Sequence, residues 1–200
     1  MLRHSVLAAS LGASIAAAPA NAAYVVNFVE LGGNVVATGS GSLDLTGLMG
    51  PFATTGTVGV HPNFPSLLIG ATPSGSLDIY NGGAGPISWG AGAFTAADSG
   101  SGNLVGASYD LSVGLLFVPT GYVFGTDLGE STASWTGATF ASLGLDPGTY
   151  VSTWGADTFT VNVIAGPAVP EPATWAMMVL GFGTIGYLLR GRKPRKRRFA

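Results

Sequence analysis

Thr149-Tyr150-Val151-Ser152-Thr153-Trp154, followed by Gly155-Ala156 and then Asp157-Thr158-Phe159-Thr160-Val161-Asn162-Val163, is the stretch whose pattern decides the fold. Tyr150, Ser152 and Trp154 alternate with Thr149, Val151 and Thr153; beyond the turn, Phe159, Val161 and Val163 alternate with Thr158, Thr160 and Asn162. A period of two sends successive side chains to opposite faces of a strand, so the two runs predict a hairpin with one face turned to a core.

Working outward, shorter strand-like runs lie at Tyr24 to Val29, Asn34 to Ser40, Leu43 to Leu45, Thr54 to Val60, Leu67 to Ile69 and Leu77 to Tyr80. Others lie at Leu104 to Leu111, Leu115 to Val118, Tyr122 to Phe124 and Ser131 to Trp135. Turn residues at Gly32-Gly33-Asn34, Asn81-Gly82-Gly83 and Asp146-Pro147-Gly148 punctuate them. No helical stripe occurs between residues 23 and 168. Many short strands at this spacing predict an all-β, antiparallel, sandwich-like domain. A β-solenoid is the alternative, weakened by the lack of a fixed-period repeat.

Charge is distributed unevenly. All eight Lys and Arg stand at position 3 or from 190 onward, so residues 23–168 hold no basic side chain. The same span holds nine acids, Glu30, Asp44, Asp78, Asp98, Asp110, Asp127, Glu130, Asp146 and Asp157, for a net charge near −9 that the whole-chain value of −2 conceals. Such a surface repels nucleic acid. It also excludes Lys or Arg ion pairs, leaving burial and backbone hydrogen bonds to hold the domain. The chain has no cysteine, so a domain of this length must rest on its own core.

Catalytic constellations are absent from the body. His61 is its one histidine and precedes Pro62; no Ser sits in a G-x-S-x-G elbow, and without Cys or Lys there is no thiol or Schiff-base nucleophile. Carboxylates are the remaining reactive groups, able in pairs to cleave a glycosidic bond or in clusters to hold Ca²⁺, but no D-x-D-x-D-G loop occurs. No metal or cofactor is expected. Trp89, Trp135 and Trp154, with Tyr80, Tyr109 and Tyr122, are either core residues or a sugar-stacking face, and core packing is the better reading.

Both ends carry targeting features. Arg3 opens a short positive region, Val6 to Ala18 is apolar, and Ala18-Pro19-Ala20 and Ala20-Asn21-Ala22 offer cleavage sites, so residues 1–22 read as a secretory signal peptide cut after Ala20 or Ala22, with Ala22 preferred. At the other end Ala173 to Leu189 carries no charge and spans roughly 25 Å as a helix, slightly short for a bilayer core of about 30 Å. Trp175 stands at one interface and Leu180, Phe182 and Leu189 lie within the span. Gly181, Gly183 and Gly186 match a dinucleotide spacing but have no acid after them, and read as small residues that let helices approach in lipid. Arg190, Arg192, Lys193, Arg195, Lys196, Arg197 and Arg198 form a basic stop-transfer cluster, which keeps the C-terminus cytoplasmic.

The tail from Val169 resembles the PEP-CTERM sorting domain of Gram-negative bacteria in its PEPxxWA form: Pro170-Glu171-Pro172, two spacers, Trp175-Ala176, Met177-Met178, the glycines and the basic end. Thr139 to Leu145, Pro147 to Tyr150, Thr153 to Gly155 and Asp157 to Val163 more loosely resemble segments found before such tags. The resemblance implies recognition by exosortase, a membrane-embedded protease or transpeptidase, and carriers exported to the envelope or beyond, often beside exopolysaccharide. The expectation is therefore a signal peptide (1–22), a Gly/Ser/Thr-rich β domain (23–168) and a sorting signal (169–200). Sec translocon, signal peptidase, exosortase and a transient single-pass membrane anchor are the expected partners, with no nucleic acid. The expected role is non-catalytic, structural or adhesive, at the envelope surface or outside the cell. The alternatives are an exopolysaccharide-binding module and, more distantly, a carboxylate-dependent glycan hydrolase.

Because nine carboxylates face no cation in the body, acidifying residues 23–168 from pH 7 toward 4 is expected to reduce self-repulsion and promote association, as read by light scattering. Unchanged scattering would show that these charges do not govern its solubility.

Overall fold

The computed structural model describes residues 23–110, 113–155, 157–166, 177–182 and 184. It divides into two compact units, Met1–Ile164 and Ala165–Ala200. In chain order the first unit contains β1 (Ala23–Leu31), β2 (Asn34–Gly41), β3 (Met49–Thr57), β4 (Gly59–His61), β5 (Ser66–Ile69), β6 (Ser74–Asn81) and β7 (Thr95–Ala96). There follow β8 (Ser99–Ser101), β9 (Val105–Asp110), β10 (Val113–Pro119), β11 (Ser131–Thr136), the helical turn α1 (Phe140–Leu143), β12 (Gly148–Trp154) and β13 (Asp157–Ile164).

Two sheets share one apolar core. The first is ordered β12-β13-β1-β2-β11-β8 and the second β3-β6-β10-β9-β5-β4-β7. The hairpin expected from residues 149–163 forms: Tyr150 faces Val161, Ser152 faces Phe159, and Trp154 faces Asp157. Phe159, Val161 and Val163 are buried. They continue a buried face across β1, where Tyr24, Val26 and Phe28 stand in parallel register with them. That parallel β1–β13 pair departs from the all-antiparallel expectation; every other strand pair is antiparallel. The non-consecutive strand order also excludes the solenoid alternative.

Several expected strands are corrected. Leu43 to Leu45 and Tyr122 to Phe124 form no ladder; their backbones are tied by Gly125 N–H donating to the Leu43 carbonyl (2.9 Å) and by Leu43 N–H donating to the Tyr122 hydroxyl (2.9 Å). α1 was not expected, being too short for a helical stripe. It is held by a capping box between Thr139 and Ser142 and closed by Gly144 in the left-handed region (φ 67°). β7 and β8 were not expected either.

The run Thr54 to Val60, read as one strand, breaks at Val58 and serves both sides of the second sheet. β3 pairs with β6 at one edge, whereas β4, one residue later, pairs with β5 five places across. One residue bridges only a few ångströms, so the sheet must curl to bring these two strands together. Val58 N–H donates to the Pro73 carbonyl (3.3 Å) and its carbonyl accepts from Ala97 N–H (3.0 Å), fixing the bend. A Cβ on Gly56 would lie 2.6 Å from Leu68 Cδ2 and 3.0 Å from Leu77 Cδ2, so a larger residue there would require these two leucines to shift. The sheet is thus apolar on both faces. Leu67, Ile69, Leu116 and Val118 are buried on the face toward the first sheet, and Leu68, Leu77, Ile79 and Phe117 line the inside of the curl.

Phe159 is fully buried and stacks on Tyr24 with ring centroids 5.6 Å apart. Phe159→Ala is expected to cost about 3–5 kcal/mol, and the outward Thr160→Ala under about 1 kcal/mol. Urea denaturation of residues 23–166 in reducing buffer, followed by a β-type far-UV spectrum, checks both; equal costs would place Phe159 outside the cooperative core.

Candidate functional site

The inside of the curled sheet forms a cavity of about 340 Å³. Register explains its lining. Phe117 faces Ile79 across β10–β6, and Leu77 faces Thr54 across β6–β3. Leu68 and Gly106 face each other across β5–β9. The floor is Leu68, Leu77, Ile79, Leu115 and Phe117, and the rim is Thr54, Thr55, Thr57 and Ser66. No ionisable group lines it. Apolar floors with a few hydroxyls bind uncharged molecules, and nothing here can transfer a proton at neutral pH.

The carboxylates lie elsewhere and are mostly occupied with the backbone. Glu30 accepts from Phe140 N–H. Asp78 accepts from Gly121 N–H at 2.9 Å, Asp98 from Thr136 N–H at 2.7 Å and Asp127 from Gly129 N–H at 2.9 Å. In a domain without cations these acids satisfy loop and turn donors that would otherwise lack partners. Asp44 and Asp157 lie close enough to be joined by a hydrogen bond. Asp157 accepts from Asp44 N–H (2.8 Å) and from its neighbour Thr158 N–H (2.7 Å), and Trp154 Nε1 donates to the Asp44 carbonyl (2.6 Å). Hydrogen bonds from the Thr46 side chain and backbone hold the Asp44 carboxyl below the usual range. Burial pushes Asp157 up, against the hydrogen bonds from Asp44 and Thr158 and with help from the Asp44 charge. Among the described residues no three His, Asp or Glu side chains come together as a metal site.

The aromatic residues considered for sugar stacking are structural. Trp89, Trp135, Tyr80 and Tyr109 are buried. Trp135 stacks on Phe28 at 5.7 Å and donates from Nε1 to the Thr95 carbonyl (3.1 Å), tying the two sheets together. Burial pushes the Tyr24 and Tyr109 phenols up to about 12, so neither ionises at neutral pH. Trp154 and Tyr122, partly buried, spend their polar atoms on Asp44 and on the Thr126 carbonyl (2.7 Å). His61 ends β4 between Phe64 and Phe94, with ring centroids at 5.8 and 6.4 Å.

Most targeting residues lie outside the described residues: Ala20 and Ala22; Pro170, Glu171, Pro172, Trp175 and Ala176; Gly183, Gly186 and Leu189; and the cluster Arg190, Arg192, Lys193, Arg195, Lys196, Arg197 and Arg198. Leu180, Gly181 and Phe182 are described, within an exposed helical stretch over 177–182 where Thr184 Oγ1 donates to the Gly181 carbonyl (2.9 Å). Among the described residues no helix is long and apolar enough to cross a membrane. The family description of the PEP-CTERM protein-sorting motif matches residues 168–193. The chain therefore carries this C-terminal sorting signal, which makes it an exported protein targeted to exosortase. No curated protein and no solved structure matches the chain.

Asp157 supplies a test of how buried charge is held. A raised carboxyl pKa means that the folded state binds the proton more tightly than the unfolded chain. That contribution favours folding below the ordinary Asp range and is lost as pH rises through the folded value. Asp157→Asn keeps an oxygen acceptor for Asp44 N–H and removes the charge. The variant is expected to match or exceed wild-type stability at pH 7, and its advantage to shrink as pH falls through the titration of Asp157. Denaturation midpoints measured from pH 7 to about 3 check this; a variant less stable at pH 7 would show that the ionised carboxylate is required.

Proposed function

We propose that the β domain of this exosortase-targeted, exported protein is a non-catalytic structural or adhesive component of the cell envelope or extracellular matrix. The observation that carries the reading is the division of labour among its polar groups. The cavity has no ionisable lining, and six of the nine body carboxylates, Glu30, Asp44, Asp78, Asp98, Asp127 and Asp157, accept backbone N–H groups. A hydrolase needs two carboxyls facing one substrate cleft, and Asp44 and Asp157 are instead joined to each other through a backbone hydrogen bond.

Exopolysaccharide binding is the second reading. Support for it lies in the curled sheet, whose cavity is lined by Thr54 and Ser66 together with Ile79 and Phe117 and by no charged residue. A neutral sugar offers matching apolar faces and hydroxyl edges.

The sorting tail completes the proposal. Signal peptidase releases the body after Ala22 on the translocated side, the Ala173–Leu189 span anchors the precursor, and the basic cluster keeps the C-terminus cytoplasmic. Proline disfavours helix at its own position and at the residue before it, so the Pro170-Glu171-Pro172 sequence supports a motif accessible to a membrane-embedded enzyme.

In an exosortase-positive host, Glu171→Ala is expected to leave a membrane-bound precursor retaining Trp175 to Ala200, while wild type loses that segment by mass spectrometry. Wild-type protein with an intact basic tail would overturn processing and leave a permanent single-span anchor. Incubation of residues 23–166 with extracellular polysaccharide is expected to release no reducing ends; sustained release would replace the structural role with hydrolysis.

A further inference from the structure

The four sheet edges are not protected alike. β7 and β8 are two and three residues long, too short to template another chain. β12 is covered, since Ala84 and Thr153 exchange two backbone hydrogen bonds of 2.8 Å and Asp146 N–H donates to the Trp89 carbonyl (2.8 Å) just before the strand. β3 is nine residues long, and among the described residues its one strand partner is β6. Pro51 and a bulge between Met49 and Phe52 blunt its start. From Phe52 to Thr57 it has neither proline nor charge, the devices that natural sheets use to prevent edge pairing.

Charge decides which partner fits this edge. No Asp, Glu, Lys or Arg occurs between Asp44 and Asp78, in a body that otherwise carries nine acids and no base. Two copies that met through carboxylate-bearing surface would repel; along β3 they would not. With no acid of its own, β3 also offers nothing to a basic peptide. Alternate residues of an edge strand point their N–H and C=O away from the sheet, and two identical strands run antiparallel satisfy these groups about a two-fold axis. Met49 and Phe52 are 65% and 57% exposed, and their apolar surface would be drawn out of water.

We propose that β3 pairs antiparallel with β3 of a second copy, joining two curled sheets edge to edge. The inference rests on β3 and is independent of the sorting tail. A six-residue pairing is a modest interface, so association is concentration-dependent.

The absence of cysteine gives a clean test on the full-length chain in mild detergent. Ala53→Cys, Thr54→Cys, Thr55→Cys and Thr57→Cys are introduced one at a time and mildly oxidised. Facing residues of an antiparallel pair lie about 4.5–5.5 Å apart at Cα, within disulfide reach. A disulfide dimer is expected to peak at one or two adjacent positions and to exceed severalfold the yield from Thr149→Cys, exposed on covered β12. A flat scan at the Thr149→Cys level overturns the proposal, including where the chain associates through its apolar tail. Thr55→Lys is expected to lower the dimer fraction severalfold in sedimentation. An unchanged fraction in a folded Thr55→Lys protein also overturns the proposal, and if that variant misfolds the cysteine scan still decides.

Discussion

The first sheet closes through β1 and β13, the first and last strands of the domain. Seven residue pairs run in parallel register from Ala23–Thr158 to Val29–Ile164, placing the Tyr24–Phe159 stack inside the core. On the outer face Asn162 Nδ2 donates to Asn27 Oδ1 (2.9 Å), while Thr149 Oγ1 donates to Asn162 Oδ1 (2.9 Å), linking three strands. β2, β11 and β8 hang from one side of this pair and β12 from the other. The sheet therefore cannot be completed until the end of the domain is available. For an exported chain, β1 emerges first and waits for a partner about 135 residues away, a separation that slows folding through loop-closure entropy.

A second constraint is the missing cation. Acidic side chains in an ordinary domain meet Lys or Arg; here six of the nine meet backbone N–H groups instead. Such bonds are worth more per carboxylate than exposed ion pairs, because a charged acceptor satisfies a donor that folding would otherwise strand. Asp157 shows the counter-tendency: burial raises its pKa even while two N–H groups favour its ionised form. The acids are thus structural in a way that a count of surface charge does not reveal.

What the sequence disclosed follows the same physics. The hairpin at 149–163 was legible because each strand has one face in the core and one in solvent, so period two survives in the residues. β7 and β8 are too short to show any period. Leu43 and Leu45 are buried, which made their segment resemble a strand, but their backbone is held by loop 122–126. The bend at Val58 was invisible because Thr54 to Val60 contains no proline or charge to interrupt a strand-like run; the break comes from which strands lie beside each half. The cavity was illegible for the same reason, since it depends on the curl. The sorting motif was legible because a signal read by an enzyme must be local in sequence, and the family match at residues 168–193 bears that reading out.

The charge-free stretch between Asp44 and Asp78 now has a physical cause. A flat sheet with one face on the core would carry charge on the other face, as solubility demands. The curl turns that outer face inward, so Leu68 and Leu77 are buried there while Leu67 and Ile69 are buried on the core side. A carboxylate in Thr54 to Ile79 pointing into the curl would be desolvated with no cation to meet it. The composition that makes the curl possible also leaves β3 without gatekeeping charge, because β3 is the strand at which the curl stops short of closing. Cavity and unprotected edge are therefore two consequences of one incomplete closure.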